Sequence, residues 1–86
     1  MATETNLVGY KIAFGKNLRK LREERIRTLS GVDRKTRFDS SNYHKYEIGI
    51  GNPTLETIIR IASALEIHPK ELLNFEFELN IDELHK

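Results

Sequence analysis

The chain has 86 residues, enough for one small domain. It contains no cysteine, which excludes disulfides and thiolate metal sites, and no apolar run of the roughly 20 residues that span a bilayer. The net charge of +1 hides an asymmetry, because residues 1–47 hold eleven Lys/Arg against six Asp/Glu (+5) and residues 48–86 hold three against seven (−4). A basic half beside an acidic half is typical of a polyanion-binding face, although solvated helix faces give the same counts.

Three helices are predicted in the basic half. The first covers residues 7–25, with an apolar stripe at helical spacing made by Leu7, Phe14, Leu18 and Leu21. A short second helix is predicted over residues 28–36. The third begins at Asp39 or Ser40 and runs to about Ile48, and Gly49 stands where a glycine commonly ends a helix.

Two further helices are predicted in the acidic half. A loop at residues 49–53 precedes Thr54, which is expected to cap a helix reaching about Leu65. The buried stripe of that helix is predicted to be Leu55, Ile58, Ile59, Ala62 and Leu65, widened by Ile61. Pro69 fits the first position of a last short helix, from which Leu72 and Leu73 point inward.

The end of the chain changes period. Its apolar residues alternate with polar ones, which predicts an extended strand, and they are Phe75, Phe77, Leu79 and Ile81. A lone strand has no partner for its backbone groups, so we expect it to pair with the same strand of a second copy as a dimer contact. The alternative is that this segment folds over the core of its own chain.

Four stretches share the pattern of one known family, and they are residues 14–22, 43–49, 52–65 and 68–73. Together they resemble the phage repressor and Cro proteins, the XRE-type helix-turn-helix regulators. Residues 14–22 (FGKNLRKLR) are similar to the first helix of that family, and residues 43–49 (YHKYEIG) to the end of its recognition helix. Residues 52–65 resemble the loop and fourth helix, and residues 68–73 (HPKELL) the fifth. The resemblance implies an all-α, five-helix domain over residues 1–74, to which residues 75–86 would add a C-terminal strand.

The resemblance also implies roles for individual residues. The recognition helix would enter the major groove of DNA with its N-terminal half and read bases through Ser40, Ser41, Asn42 and Lys45. Contacts to phosphates would come from Arg34, Lys35, Arg37, His44 and Asn52. Arg22 and Glu47 occupy the positions of a structural ion pair that fixes how the recognition helix leaves the core.

The second helix departs from the family pattern. Leu29 stands where a polar residue is usual, Asp33 where a small residue lets the second and third helices approach, and Arg37 at a frequent turn glycine. A buried aspartate is costly without a partner. The helix is therefore shifted by about one residue, irregular, or packed differently, and the sequence leaves these alternatives open.

The predicted function is sequence-specific binding of double-stranded DNA by a cytoplasmic transcriptional regulator, foremost a repressor, as a symmetric dimer on an inverted repeat. An antitoxin or a restriction–modification controller protein of the same fold would give the same sequence pattern. So would a protein-interaction module that has lost DNA binding. We expect no enzyme activity, membrane contact, cofactor or small-molecule ligand. We also expect no metal, since His44, His68 and His85 lack ligand spacing.

Overall fold

The computed structural model describes residues 2–25 and 40–79, with side chains from Asn6 in the first stretch and from Tyr43 in the second. These residues form three α-helices, α1 (Ala2–Arg25), α2 (Ser40–Glu47) and α3 (Leu55–Leu65), followed by a 3-10 helix (Pro69–Leu73). No strand occurs in either described stretch. The predicted second helix, with Leu29, Asp33, Arg34, Lys35 and Arg37, lies outside them. Within the described part of the chain, no helix is long and apolar enough to cross a membrane.

The core is built around the middle of α1. Leu18 is fully buried and Phe14 and Leu21 nearly so, which confirms that part of the predicted apolar stripe. Leu7 is exposed, however, and α1 begins at Ala2, before the predicted start at residue 7. The other members of the core come from the later elements: Tyr43, Ile61, Ala62, Leu65 and Leu72.

Helix α3 confirms the predicted cap. The backbone N–H of Thr57 donates to Oγ1 of Thr54 at 3.1 Å, which satisfies one of the free donors at the start of the helix. The helix ends at Leu65, and the next residue, Glu66, has a left-handed backbone (φ 59°). The N–H groups of Glu66 and Ile67 then donate to the carbonyls of Ser63 and Ala62 at 3.1 and 3.0 Å.

The predicted burial of α3 is partly wrong. Leu55 and Ile59 are exposed, whereas Ile61, predicted only to widen the stripe, is almost fully buried. The set that faces the core is Ile58, Ile61, Ala62 and Leu65, which is itself a helical stripe at spacings of three, four and seven. Helix α3 is therefore rotated about its axis relative to the predicted orientation, and one apolar flank is left in solvent.

The last predicted helix is a single 3-10 helix that is tied to α1. Nδ1 of His68 accepts from the backbone N–H of Lys70 at its start, and Nδ2 of Asn17 donates to the carbonyls of Glu71 and Leu72 at 2.9 and 3.1 Å. Leu72 is fully buried, as predicted, but Leu73 is exposed.

The predicted C-terminal strand is wrong for residues 75–79, which have no strand pairing. The rings of Phe75 and Phe77 instead pack on Tyr10 of the same chain, with centroids 4.9 and 5.4 Å away, and Phe77 also lies against Gly9. Apolar and acidic residues thus alternate because the rings of Phe75 and Phe77 pack against α1 while Glu76 and Glu78 are exposed to solvent. This is the alternative in which the segment folds over its own core. Ile81 lies outside the described residues.

Candidate nucleic-acid interface

Helix α2 is the element that the sequence assigned to base reading, and its end is fixed by glycine. It stops at Glu47, one residue before the predicted end, and Gly49 then adopts φ 84°. The N–H groups of Ile50 and Gly51 return to the carbonyl of Lys45 at 2.9 and 3.3 Å. A Cβ at Gly49 would also lie 2.9 Å from Cα of Ile12, so both the backbone angle and the space require glycine.

The two sides of α2 differ in exposure. Tyr43 and Glu47 are buried and Tyr46 is half-buried against the core, whereas His44 and Lys45 are exposed. Of the other residues assigned to base reading, Ser40, Ser41 and Asn42 lie in the first turn of α2, and their side chains are outside the described set. Asn52 is exposed in the loop after the helix. The structure thus places His44, Lys45 and Asn52 at the surface around one helix.

A buried ion pair joins α2 to α1. Nε of Arg22 donates to Oε2 of Glu47 at 2.5 Å and a terminal guanidinium nitrogen donates to Oε1 at 3.1 Å, so the contact is two-pronged. The side chains are only 8% and 3% exposed. The hydrogen bond that Arg22 donates to Glu47 raises the pKa of Arg22 above its ordinary value, which keeps the guanidinium charged. Two parallel bonds fix orientation as well as distance.

The hydroxyl of Tyr43 lies next to this pair and is buried, with no hydrogen-bond partner of acceptable geometry among the described residues. Burial raises the pKa of Tyr43 well above its ordinary range, and the negative charge of Glu47 raises it further. The phenol is therefore held neutral in the folded protein while the same side chain ionises near pH 10 in the unfolded chain.

The raised pKa of Tyr43 predicts a loss of stability in alkali. A folded-state pKa above the unfolded value means that stability is complete below about pH 10 and is lost as the pH rises further. We expect the wild type to lose about 1 kcal/mol more than Tyr43→Phe between about pH 9 and pH 11. Urea unfolding across this range measures the difference, and parallel curves for the two proteins would contradict it.

A close contact that the sequence did not predict involves Gly15. A Cβ at this position would lie 2.3 Å from the carbonyl oxygen of Glu47 and 2.6 Å from that of Tyr46. The backbone of α1 therefore touches the last turn of α2 directly. The available signal was a glycine inside an otherwise strong helical pattern, which often marks a close backbone approach.

Part of the basic charge of α1 is compensated locally. Arg19 pairs with Glu23 at 3.1 Å one helical turn away, and Arg25 pairs with Glu24 at 3.1 Å. Both pairs are exposed and contribute little to stability. The unpaired positive charge on α1 is therefore smaller than a count of the basic residues in the first half of the chain alone indicates.

Comparison with known proteins agrees with this geometry. The profile of a family described as helix-turn-helix matches residues 18–72, which include the ion pair, α2, α3 and most of the 3-10 helix. The chain belongs to the XRE-type helix-turn-helix family of DNA-binding regulators. A crystal structure of the restriction–modification controller protein C.AhdI from Aeromonas hydrophila is 32% identical, with a TM-score of 0.69 over 72% of this chain and 94% of that one. No curated protein sequence matches the chain at a significant level.

Membership of this family confirms that the chain is a DNA-binding transcriptional regulator. Within that regulator, the Arg22–Glu47 pair, Gly15 and Gly49 all act on the same end of α2. The C-terminal half of α2 is thus held against α1, while His44 and Lys45 on its other side are exposed.

Proposed function

We propose that this regulator binds a specific inverted-repeat sequence in duplex DNA as a symmetric dimer and represses transcription by occupying that site. The observation that carries the proposal is the two-sided character of α2, which holds Tyr43 and Glu47 in the core while Lys45 is exposed. A helix fixed in this way can present one side to the major groove without rearranging.

Base reading is assigned to four residues of α2. The amide of Asn42 suits the N6/N7 edge of adenine and the ammonium of Lys45 the O6/N7 edge of guanine, while hydroxyls suit either base or phosphate. The set is Ser40, Ser41, Asn42 and Lys45. Contacts to phosphates, which set the position of the protein without reading sequence, are assigned to Arg34, Lys35, Arg37, His44 and Asn52.

Selection of duplexes from a random pool by the purified protein tests the proposal. The expected product is an inverted repeat with half-site centres about 34 Å apart, one turn of the double helix. Enrichment of a single, asymmetric half-site would contradict the dimer. No enrichment at low salt, where phosphate contacts are strongest, would contradict DNA binding altogether.

The assignment of Lys45 predicts a loss of discrimination rather than of general affinity. We expect Lys45→Ala to reduce the preference for the selected site over random DNA by roughly 5- to 150-fold, the range of one good base contact. Lys70→Ala is the matched control, because it removes the same charge from the exposed 3-10 helix. Fluorescence anisotropy over a salt series measures both affinities. An equal loss on specific and random duplexes would show that Lys45 contacts phosphate instead.

A second candidate role is that of a restriction–modification controller, which the likeness to C.AhdI favours. In that case the gene of this chain would lie beside those of an endonuclease and a methyltransferase, and the selected sequence would occur upstream of them. A reporter under that promoter distinguishes repression from activation. A selected site found only at unrelated promoters would argue against the controller role.

A further inference from the structure

A cleft of about 160 Å³ lies between the first half of α1, the end of α2 and the start of α3. Its walls are mainly aliphatic and aromatic, and they include the side chains of Leu7, Tyr10, Phe14, Tyr46, Ile58 and Leu73. Folded proteins usually pack without gaps of this size. An apolar cavity of about 150 Å³ can hold a benzene molecule. The cleft therefore has room for one aromatic ring or a short aliphatic chain.

One positive charge lines this apolar cleft. Apart from the tyrosine hydroxyls, its polar side chains are those of Lys11 and Asn52. Lys11 is half-buried, and it forms no ion pair with any residue whose side chain the structure describes. Its ammonium group thus lacks a counterion among the described residues. Predominantly apolar walls with a few polar groups that fix orientation are the usual composition of a small-molecule site.

We propose that the cleft is an effector site for a small apolar carboxylate, and that the bound ligand weakens the contact between this regulator and DNA. The ring or chain of the ligand fills the apolar part of the cleft, and its carboxylate pairs with Lys11. The effector role rests on the proposed function, because it requires an operator. The binding site itself does not depend on DNA.

The charge of the cleft selects this class of ligand. A carboxylate supplies the one negative charge that Lys11 lacks, and a hydrogen bond between two charged groups is stronger than one between neutral groups. An amine would add a second positive charge beside Lys11. A phosphate ester carries up to two negative charges, and a single cation would leave one of them uncompensated in apolar surroundings. The sequence predicts no small-molecule ligand because the residues of the cleft are spread over positions 7 to 73 and form no local motif.

The cleft adjoins the parts of the protein that are assigned to DNA contact. Tyr46 lies in the last turn of α2, and a Cβ added at Gly51 would overlap its ring, so the end of the helix and the following loop pack directly on each other. Asn52, which is assigned to a phosphate, lines the same cleft. A ligand there neutralises Lys11 and brings a carboxylate into the cleft that Asn52 lines. Both effects disfavour a DNA phosphate at this loop, since like charges repel.

Titration of the full chain with three ligands of similar shape and different charge tests the site. The amide NMR shifts of Gly51 and Asn52 report binding, because both residues line the cleft. We expect phenylacetate to bind with a dissociation constant on the order of 1 mM, typical of a ligand with about ten non-hydrogen atoms. Phenylacetamide, which is neutral, should bind about 5-fold more weakly, and phenethylamine more weakly still. The absence of a saturable shift with phenylacetate, or equal affinities for the three ligands, would overturn the proposal.

Two substitutions test which residues hold the ligand. Leu7→Trp fills the cleft from a half-exposed position and should weaken phenylacetate binding at least about 10-fold. Val8→Trp is its matched control, since Val8 is the next residue of α1, is 55% exposed and does not line the cleft. Lys11→Met removes the charge and keeps an aliphatic stem, so it should weaken phenylacetate about 5-fold and leave phenylacetamide unchanged, with the exposed Lys20→Met as control. If Leu7→Trp binds phenylacetate as well as Val8→Trp does, or if Lys11→Met weakens both ligands equally, the assigned site is wrong.

Operator binding tests the effector role. Fluorescence anisotropy should show an operator affinity about 5-fold lower with the cleft saturated by phenylacetate than with an equal concentration of acetate, which is the lower end of the usual coupling between two sites. Leu7→Trp should abolish this difference, and Val8→Trp should retain it. Unchanged or higher operator affinity with the cleft saturated would overturn the effector role. A protein that binds phenylacetate in the cleft but binds no duplex would support the site and refute the proposed function.

Discussion

Removing the carboxylate of Glu47 should destabilise the protein by about 3–5 kcal/mol, because the buried guanidinium of Arg22 would lose the negative charge that balances it. The two side chains are almost fully enclosed and share two hydrogen bonds, so little water is present to compensate the lost charge. A loss of this size is a large share of the stability of a small domain, about 5–15 kcal/mol in total. Urea unfolding of Glu47→Ala followed by circular dichroism measures it.

The matched control is the pair that Arg19 makes with Glu23 on the same helix. Its contact distance of 3.1 Å is similar, but the side chains are 65% and 55% exposed, so Glu23→Ala should cost less than about 1 kcal/mol. Equal losses for Glu47→Ala and Glu23→Ala would show that burial does not set the strength of the Arg22 contact.

The double variant Arg22→Met with Glu47→Leu separates stability from positioning. Because it leaves no buried charge, its stability should return close to that of the wild type. We expect its binding to the selected operator to remain weaker, since apolar contacts do not fix the direction of α2 as two parallel hydrogen bonds do. If this variant binds the operator as tightly as the wild type does, the role of the ion pair is limited to stability.

Local signals predicted the parts of the fold that depend on neighbouring residues. The cap at Thr54 and the turn at Gly49 were both predicted because their chemistry is decided within a few residues of the chain. The rotation of α3 was not, since Leu55 and Ile59 are as apolar as the residues that do face the core. Hydrophobicity alone does not say which flank of such a helix meets its neighbour.

The end of the chain shows a second limit of local patterns. Alternation over residues 75–82 is the pattern of a strand, yet the rings of Phe75 and Phe77 both pack on Tyr10 from a segment that forms no strand over residues 75–79. Whether such a segment pairs or packs is decided by the surface it meets, here Gly9 and Tyr10 on α1. The candidate site shows the same limit. Family resemblance predicts the ion pair of Arg22 and Glu47, whereas the close contact at Gly15 is not predicted from the sequence.

Gly15→Ala should destabilise the protein although alanine is the better helix former. The substitution gains up to about 1 kcal/mol in helix propensity at a position inside α1. The new methyl group, however, would lie 2.3 Å from the backbone oxygen of Glu47, and backbone cannot move aside as a flexible side chain can. Overpacking of this kind costs about 1–3 kcal/mol or more, so we expect a net loss and a thermal midpoint lower by several degrees.

Gly9→Ala provides the control for that substitution on the same helix. There the added Cβ would meet the far end of the Phe77 ring at 2.9 Å, which can rotate away, so the propensity gain should roughly balance the contact. Calorimetry of the two variants should therefore show a lower midpoint for Gly15→Ala only. Because the displaced atoms belong to the last turn of α2, Gly15→Ala should also weaken operator binding at temperatures where it is fully folded. Normal stability and normal binding in Gly15→Ala would mean that α1 and α2 do not touch at this point.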